Sequence, residues 1–152
     1  VDGPSMEPTF ETSDRIVVSR LNYMLGEPEY GNIIVFNSPR PRSQNEPPLI
    51  KRVIGLPGDT IEMRDQQVYR NGELLEEPYI KEEVCYHRSC GDNIWELADD
   101  EYFVMGDNRN QSNDSRSFGP VTRDHVIGEG IIRFWPLDNL GLIKNVRYEA
   151  TD

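Results

Sequence analysis

One serine near the start of the chain lies in a segment whose backbone cannot form a regular strand or helix. Ser5 belongs to residues 3–9 (GPSMEPT), directly after a Gly-Pro pair and three residues before a second proline. Proline fixes its own φ and restricts the residue before it, so this turn can hold a hydroxyl in one direction, as a nucleophile requires. The same residue types also build plain surface turns, so the segment alone leaves both interpretations open.

Two adjacent basic residues interrupt an apolar strand pattern at residues 49–54 (LIKRVI). Neighbours on a strand point to opposite faces, so we expect one of Lys51 and Arg52 to point towards the core. Burial disfavours the charged ammonium and lowers the pKa of a lysine, which makes its neutral amine available as a base. The alternative is an edge strand whose two cations both extend into water.

A dense polar loop follows an apolar strand pattern at residues 106–119, and nearly all of its side chains can donate or accept hydrogen bonds. Such density indicates an organised network. The chain's two histidines, His87 and His125, lie in no motif. Serine chemistry without histidine points to a Ser–Lys dyad.

Short β-branched or aromatic runs bounded by Gly, Pro, Asp or Asn predict a mainly β chain. The predicted strands cover residues 15–19, 32–36, 50–54, 59–63, 102–105 and 130–135. Asn71-Gly72 predicts a hairpin turn, while residues 20–25 suit a helical turn or two at most. We expect coiled, partly open antiparallel β-sheets, or a barrel-like core, with a small loop-rich insertion.

The 152 residues fit one domain with a small elaboration. We predict a β-rich catalytic core from residues 1–75 and 101–152, and a small insertion at residues 76–100, which holds clustered acids and little strand pattern. Residues 37–48 are polar and proline-rich and predict an extended or mobile loop.

The cysteines Cys85 and Cys90 enclose only four residues. Two such thiols can close a disulfide outside the cytoplasm, which we favour, or stay free or buried. His87 beside them is too small a ligand set for a metal site, and we expect neither a metal nor another cofactor.

A net charge of −11 argues against a nucleic-acid partner, whose phosphates would be repelled. No apolar run approaches the roughly 18–20 residues of a membrane-spanning helix. The chain also begins without Met, so we expect a trimmed piece of a longer protein.

Together, the three segments resemble those of type I signal peptidases, which remove leader peptides from exported proteins. Residues 5–9 resemble the nucleophile box, residues 51–59 (KRVIGLPGD) the lysine box, and residues 106–116 (GDNRNQSNDSR) the third box. Their order and spacing agree with the family, and the likeness extends from about residue 2 to about residue 135. The resemblance implies a membrane anchor before the nucleophile box and action on the extracytoplasmic face of the membrane.

The resemblance also implies roles for individual residues. Ser5 Oγ attacks the scissile carbonyl, and Lys51, neutral in an apolar setting, takes its proton. Ser112 matches the serine that orients the lysine. Asp114 is expected to pair with both Arg52 and Arg116, holding the third box against the lysine strand.

Signal peptides would bind as extended strands, with Met6, Phe10 and Ile50 lining a shallow pocket for small side chains. One position departs from the family. Some members have a serine two places before the nucleophile, whose hydroxyl helps to form the oxyanion hole, and Gly3 stands there in this chain. The Ser5 N–H can still serve, and the second donor stays open.

Two other functions are compatible with parts of the pattern. A self-cleaving repressor-type Ser–Lys protease shares the β core, but the acid excess argues against its DNA-binding partner domain. A non-catalytic, β-rich extracellular binding module would leave Lys51 exposed, with a pKa near 10.4.

Overall fold

A computed structural model describes residues 1–20, 26–135 and 141–142 and consists mainly of β-strands. The strands are β1 Arg15–Ser19, β2 Ile33–Phe36, β3 Leu49–Gly55, β4 Thr60–Arg64, β5 Gln67–Arg70, β6 Glu73–Leu74, β7 Asn93–Glu96, β8 Glu101–Met105, β9 Val121–Thr122, β10 Val126–Trp135 and β11 Gly141–Leu142. One short helix, α1, covers Ser115–Phe118, and 3-10 turns cover Arg88–Cys90, Arg109–Gln111 and Arg123–His125. None of the helices in these ranges is long and apolar enough to cross a membrane.

The strands form two antiparallel sheets that do not close into a barrel, in agreement with the predicted fold class. In the larger sheet the order is β1-β10-β2-β3-β8-β9, with β11 paired to β10. The smaller sheet has the order β6-β5-β4-β7. Strand β3 therefore lies in the middle of the larger sheet, between β2 and β8, so its side chains can be covered on both faces.

Every predicted strand is present, with ends that differ by one or two residues except in β10. That strand begins at Val126 rather than at residue 130. The predicted turn at Asn71-Gly72 joins β5 to β6, and both residues have positive φ, as a type I′ turn requires. The suggested helical turn at residues 20–25 lies almost entirely outside the described residues.

Strand β7, which pairs with residues 60–63 of β4, was not predicted. Its four residues, NIWE, include only two apolar side chains, so the pattern was too short to read as a strand. The smaller sheet takes strands from both sides of residue 76. The division of the chain at residues 76–100 stays a prediction.

Three apolar clusters form the core. The first lies between the two sheets and includes Ile61, Phe103 and Met105. The second packs on the opposite face of the larger sheet and includes Phe36 and Phe118. The third is smaller and consists of Met6, Phe10 and Ile33, which are fully buried, with Val1, Ile16 and Ile50 packed against them. It attaches the N-terminal segment to the sheet.

Cys85 and Cys90 form a disulfide, as the argument from compartment favoured. Both sulfur atoms are buried in the first cluster. The disulfide thus closes a six-residue loop in the segment that precedes β7.

Candidate active site

The N-terminal segment folds into a tight turn that presents Ser5. The carbonyl of Pro4 accepts a hydrogen bond from the Glu7 N–H at 3.1 Å, and the Met6 carbonyl accepts one from the Phe10 N–H at 2.9 Å. The side chains of Met6 and Phe10 are anchored in the third apolar cluster. The two buried side chains therefore anchor the turn to the core, and Ser5 itself remains partly exposed.

Strand β3 brings Lys51 to this serine. Its Nζ atom lies 2.7 Å from Ser5 Oγ and donates to the Ile50 carbonyl at 3.0 Å. Lys51 is only 4% exposed. Its cross-strand partner is Ile34, which belongs to the second apolar cluster, so the lysine stem lies along an apolar surface. The structure thus brings together the two residues that the sequence assigned to the dyad.

Burial lowers the pKa of Lys51 to about 8, well below its ordinary value of 10.5. Desolvation of the ammonium is the largest cause. The negative charges of Asp114 and Asp107 oppose the effect, and the positive charge of Arg116 adds to it. A substantial fraction of the amine is therefore neutral near pH 8 and can accept a proton from the serine hydroxyl.

Asp114 organises the third segment. Its carboxylate makes a two-pronged, fully buried ion pair with Arg116, with N–O distances of 2.9 and 2.8 Å. It also accepts hydrogen bonds from the Gly106 N–H at 3.0 Å and the Ser112 hydroxyl at 2.7 Å. Burial alone would raise the pKa of Asp114, but the hydrogen bond and charge of Arg116 hold it below the ordinary value. Asp114 is thus a fixed negative charge near Lys51.

The orientation expected for Ser112 is not found in this structure. Ser112 was expected to hydrogen-bond the lysine, but its hydroxyl donates to the Asp114 carboxylate, whereas Lys51 Nζ contacts Ser5 Oγ and the Ile50 carbonyl. An ionised carboxylate is the stronger acceptor, which accounts for the choice. Ser112 thus contacts the carboxylate near Lys51, and its role in orienting the lysine stays a prediction.

The expected pairing of Arg52 with Asp114 is wrong. Arg52 instead makes a two-pronged ion pair with Asp107, with both N–O distances at 2.9 Å. It also donates to the Gly31 carbonyl and stacks on the Tyr79 ring at 4.3 Å. Because the strand alternates, Arg52 and Lys51 leave opposite faces of β3, and only the Arg52 face meets Asp107.

Both basic residues are buried, where only one was expected to point inwards. Arg52 is 1% exposed, less than Lys51. A central strand with clusters on both faces explains the difference. The register also explains the Arg52 partner: Met105 lies opposite Arg52, and Asp107 comes two residues later in the chain. Asp107 was missed as a supporting residue, because the register that brings it to Arg52 is set by the pairing of β3 with β8.

Gly106 lets the third segment approach the nucleophile turn. A Cβ atom at this position would lie 2.2 Å from Ser112 Oγ and 2.5 Å from the Ser5 carbonyl oxygen. Both separations are too short for any side chain. The absence of a side chain at residue 106 therefore allows Ser5, Ser112 and β8 to meet at one point.

Comparisons with known proteins agree with this geometry. A family model described as signal peptidase, peptidase S26, matches residues 1–135. The chain belongs to this family of serine endopeptidases.

Individual members of the signal peptidase family are similar over most of this chain. A probable signal peptidase I-2 of Synechocystis is 39% identical over 147 residues, which are 95% of this chain and 66% of that protein. A signal peptidase I of Leptolyngbya laminosa is 40% identical over 148 residues, covering 93% and 70%. The chain thus spans about two thirds of the length of these relatives.

A solved structure shares the fold. The crystal structure of a signal peptidase I from Enterococcus faecalis matches with a TM-score of 0.55 and 35% identity, covering 68% of this chain and 97% of that one. The signal peptidase I family acts at the membrane on signal peptides.

Two residues predicted to line the substrate pocket do not fit that role in this signal peptidase-family chain. Met6 and Phe10 are fully buried in the third cluster, so a substrate would find no surface of theirs to touch. They anchor the nucleophile turn to the core instead. Ile50 is half-buried beside the Lys51 amine, and its lining role stays a prediction.

The disulfide contacts the same network. Arg116 Nη1 donates to Cys90 Sγ at 3.0 Å, and the Cys85 Sγ lies 3.9 Å away. The guanidinium that neutralises Asp114 is thus also packed against the disulfide. The cysteine pair, for which only a disulfide was predicted, therefore packs against the third segment through Arg116.

Proposed function

We propose that this chain is the catalytic part of a type I signal peptidase, which cleaves N-terminal signal peptides from exported preproteins. The observation that carries the proposal is the 2.7 Å approach of a buried lysine amine to the hydroxyl of Ser5. No other group in the described ranges is placed to serve as a base for that hydroxyl. The family membership gives the substrate class.

The reaction follows from these positions. Ser5 Oγ attacks the carbonyl carbon of the scissile bond while its proton passes to Lys51 Nζ. The peptide C–N bond then breaks, the proton moves from Lys51 to the leaving amine, and an ester to Ser5 remains. Water, deprotonated by Lys51, then attacks the ester carbonyl; the bond to Ser5 Oγ breaks, Lys51 returns the proton to Ser5 Oγ, and the signal peptide leaves with a new carboxylate end.

The lysine acts as a base because the protein does not solvate its charge. An exposed amine would hold its proton until about pH 10.4. Apolar burial brings the pKa of Lys51 to about 8. The nearby carboxylates of Asp114 and Asp107 stop the pKa from falling further, and they stabilise the ammonium formed when Ser5 gives up its proton.

The substrate would bind in extended form and pair through its backbone with the exposed chain beside Ser5. We further propose that the full protein is held at the extracytoplasmic face of the membrane by an N-terminal anchor. The disulfide is consistent with that compartment. Ser112, Asp114, Arg52 and Arg116 take positioning roles, holding the third segment and the lysine strand in place.

A leader-peptide cleavage assay with single variants tests the proposal. We expect Ser5→Ala and Lys51→Ala to abolish cleavage while their circular dichroism spectra stay unchanged. The matched control is Ser117→Ala, which alters an exposed serine and should cleave at the wild-type rate. Full activity in Lys51→Ala would refute the dyad, and self-cleavage of the chain without cleavage of the leader peptide would favour the repressor-type alternative.

A further inference from the structure

We propose that Asn108 is a positioning residue that aims the backbone N–H of Ser5 at the oxyanion of the transition state. The inference rests on the proposed function of Ser5 and adds a residue to it. Asn108 belongs to the third segment, 57 residues after Lys51 in the chain. Its contacts are with the two peptide groups that flank Ser5.

Asn108 holds both carbonyls next to the nucleophile. Its side-chain Nδ2 donates to the Pro4 carbonyl at 3.1 Å, and its backbone N–H donates to the Ser5 carbonyl at 2.9 Å. The Pro4 carbonyl also accepts the Glu7 N–H, but that bond lies within the turn and moves with it. Among the residues that the structure describes, only Asn108 connects the Pro4–Ser5 peptide to a separate part of the fold by a hydrogen bond.

Because the peptide group is planar, the contact at the Pro4 carbonyl also sets the direction of the Ser5 N–H. The Pro4–Ser5 peptide is trans, so the Pro4 carbonyl and the Ser5 N–H point in opposite directions. Fixing the carbonyl on Asn108 therefore fixes the N–H on the other side of the plane. Within the described residues the Ser5 N–H has no hydrogen-bond acceptor, so it is available to a ligand.

The orientation of the amide supports this role. Asn108 is 1% exposed, and its Oδ1 atom has no hydrogen-bond partner among the described residues. Exchanging Oδ1 and Nδ2 would place an oxygen against the Pro4 carbonyl oxygen, which is repulsive, so the donor must face Pro4. A buried amide oxygen without a partner is unfavourable. Asn108 thus tolerates an unpaired Oδ1 atom, while its Nδ2 atom holds the carbonyl of Pro4, the residue directly before the nucleophile.

The contact between Asn108 and Pro4 matters more in this chain because a second oxyanion donor is missing at residue 3. Gly3 occupies the place where some members of the family have a serine whose hydroxyl serves as that donor. The oxyanion then depends more heavily on the Ser5 N–H. Loss of an oxyanion donor lowers kcat about 100- to 1,000-fold in serine proteases, and a misaligned donor should cost less, about 10- to 100-fold.

Two variants of the 152-residue chain separate positioning from simple structural support. Asn108→Ala removes the donor. Asn108→Leu also removes it but keeps the branched shape and eliminates the unpartnered oxygen, so it should fold as stably as the wild type. The backbone bond to the Ser5 carbonyl survives in both. The matched control is Asn110→Leu, because Asn110 is also buried but binds the backbone of Val84, Tyr86 and His87, away from Ser5.

We expect both Asn108 variants to lower kcat for a leader peptide about 10- to 100-fold, with KM within about twofold of the wild type because ground-state binding is not changed. The midpoint of the pH–rate profile, set by Lys51, should not move. Asn110→Leu should lower the melting temperature and leave kcat within about twofold of the wild-type value.

Three outcomes would overturn the proposal. One is a wild-type kcat in Asn108→Leu. Another is an equal fall of kcat in Asn110→Leu, which would indicate a general loss of structure. A third is a shifted pH midpoint with full activity regained at high pH, which would mean that Asn108 acts through Lys51. Cleavage retained by Ser5→Ala would refute the proposed function itself, independently of the Asn108 measurements, and this inference with it.

Discussion

Replacing Lys51 by methionine should make the protein more stable at neutral pH while removing its activity. Lys51 is buried, and its pKa falls from 10.5 to about 8. At about 1.4 kcal/mol per pH unit, this lowering corresponds to about 3 kcal/mol spent on keeping the ammonium out of water. Methionine fills a similar volume without a charge, so the Lys51→Met variant avoids this cost.

The size of the stability difference between the wild type and Lys51→Met depends on pH. Between about pH 8 and pH 10.5 the folded wild type binds fewer protons than the unfolded chain, so its stability rises with pH across this window. Below pH 8 the cost is fully present, and above pH 10.5 it has disappeared. The stability advantage of Lys51→Met should therefore shrink by about 3 kcal/mol from pH 7 to pH 10.5. The hydrogen bonds lost with the amine shift the difference by a constant amount and do not change this slope.

The measurement is urea unfolding of the wild type and Lys51→Met at several pH values. Taking the difference between the two proteins cancels the titration of other groups, such as Tyr30 and Tyr102, whose pKa values burial raises to about 12. Lys81→Met is the control, because the ion pair with Glu7 raises rather than lowers the pKa of this exposed lysine, so its difference from the wild type should be flat between pH 7 and pH 9.5.

Activity gives a second measure of the same titration. The kcat/KM of the wild type for a leader peptide should rise about tenfold from pH 7 to pH 9 as the neutral amine becomes the major form. A stability difference that stays constant over the window, or a rate that rises about 100-fold rather than tenfold between pH 7 and pH 9, would show that the lysine keeps an ordinary pKa. Lys51 would then not be a desolvated base.

Two further changes test the supporting structure. Asp107→Asn should destabilise the protein by about 3–5 kcal/mol in urea unfolding, because it leaves Arg52 as an unpaired buried charge. Arg64→Met, which removes an exposed ion pair, should leave the unfolding midpoint nearly unchanged, and equal losses in the two variants would show that burial of the Arg52–Asp107 pair does not matter. Replacing Cys85 and Cys90 together by serine should cost about 2 kcal/mol, the entropy of closing a six-residue loop, and unchanged unfolding of this double variant relative to the oxidised wild type would rule out a stabilising disulfide.

The strands and turns of this protein are local properties and could be predicted from the sequence. Alternating or β-branched runs bounded by turn residues marked β1 and β8 within a residue or two, and Asn71-Gly72 marked its hairpin. Ser5 and Lys51 could also be proposed as the dyad, because Ser5 lies in a rigid turn, Lys51 interrupts an apolar strand pattern, and the family resemblance links the two segments. In contrast, β7 carries too short a pattern and exists as a strand because β4 offers it an edge to pair with.

Which charges meet inside the molecule was decided only by the tertiary structure. The sequence places Arg52 near Asp107 and Asp114 without distinguishing them, and the alternation of β3 together with its register against β8 selects Asp107. The pKa of Lys51 likewise depends on clusters that cover both faces of a central strand. Burial and pairing are sums over distant segments packed in three dimensions, whereas strand propensity is set by neighbours in the chain, and for this reason the sequence determined the elements and the fold determined their chemistry.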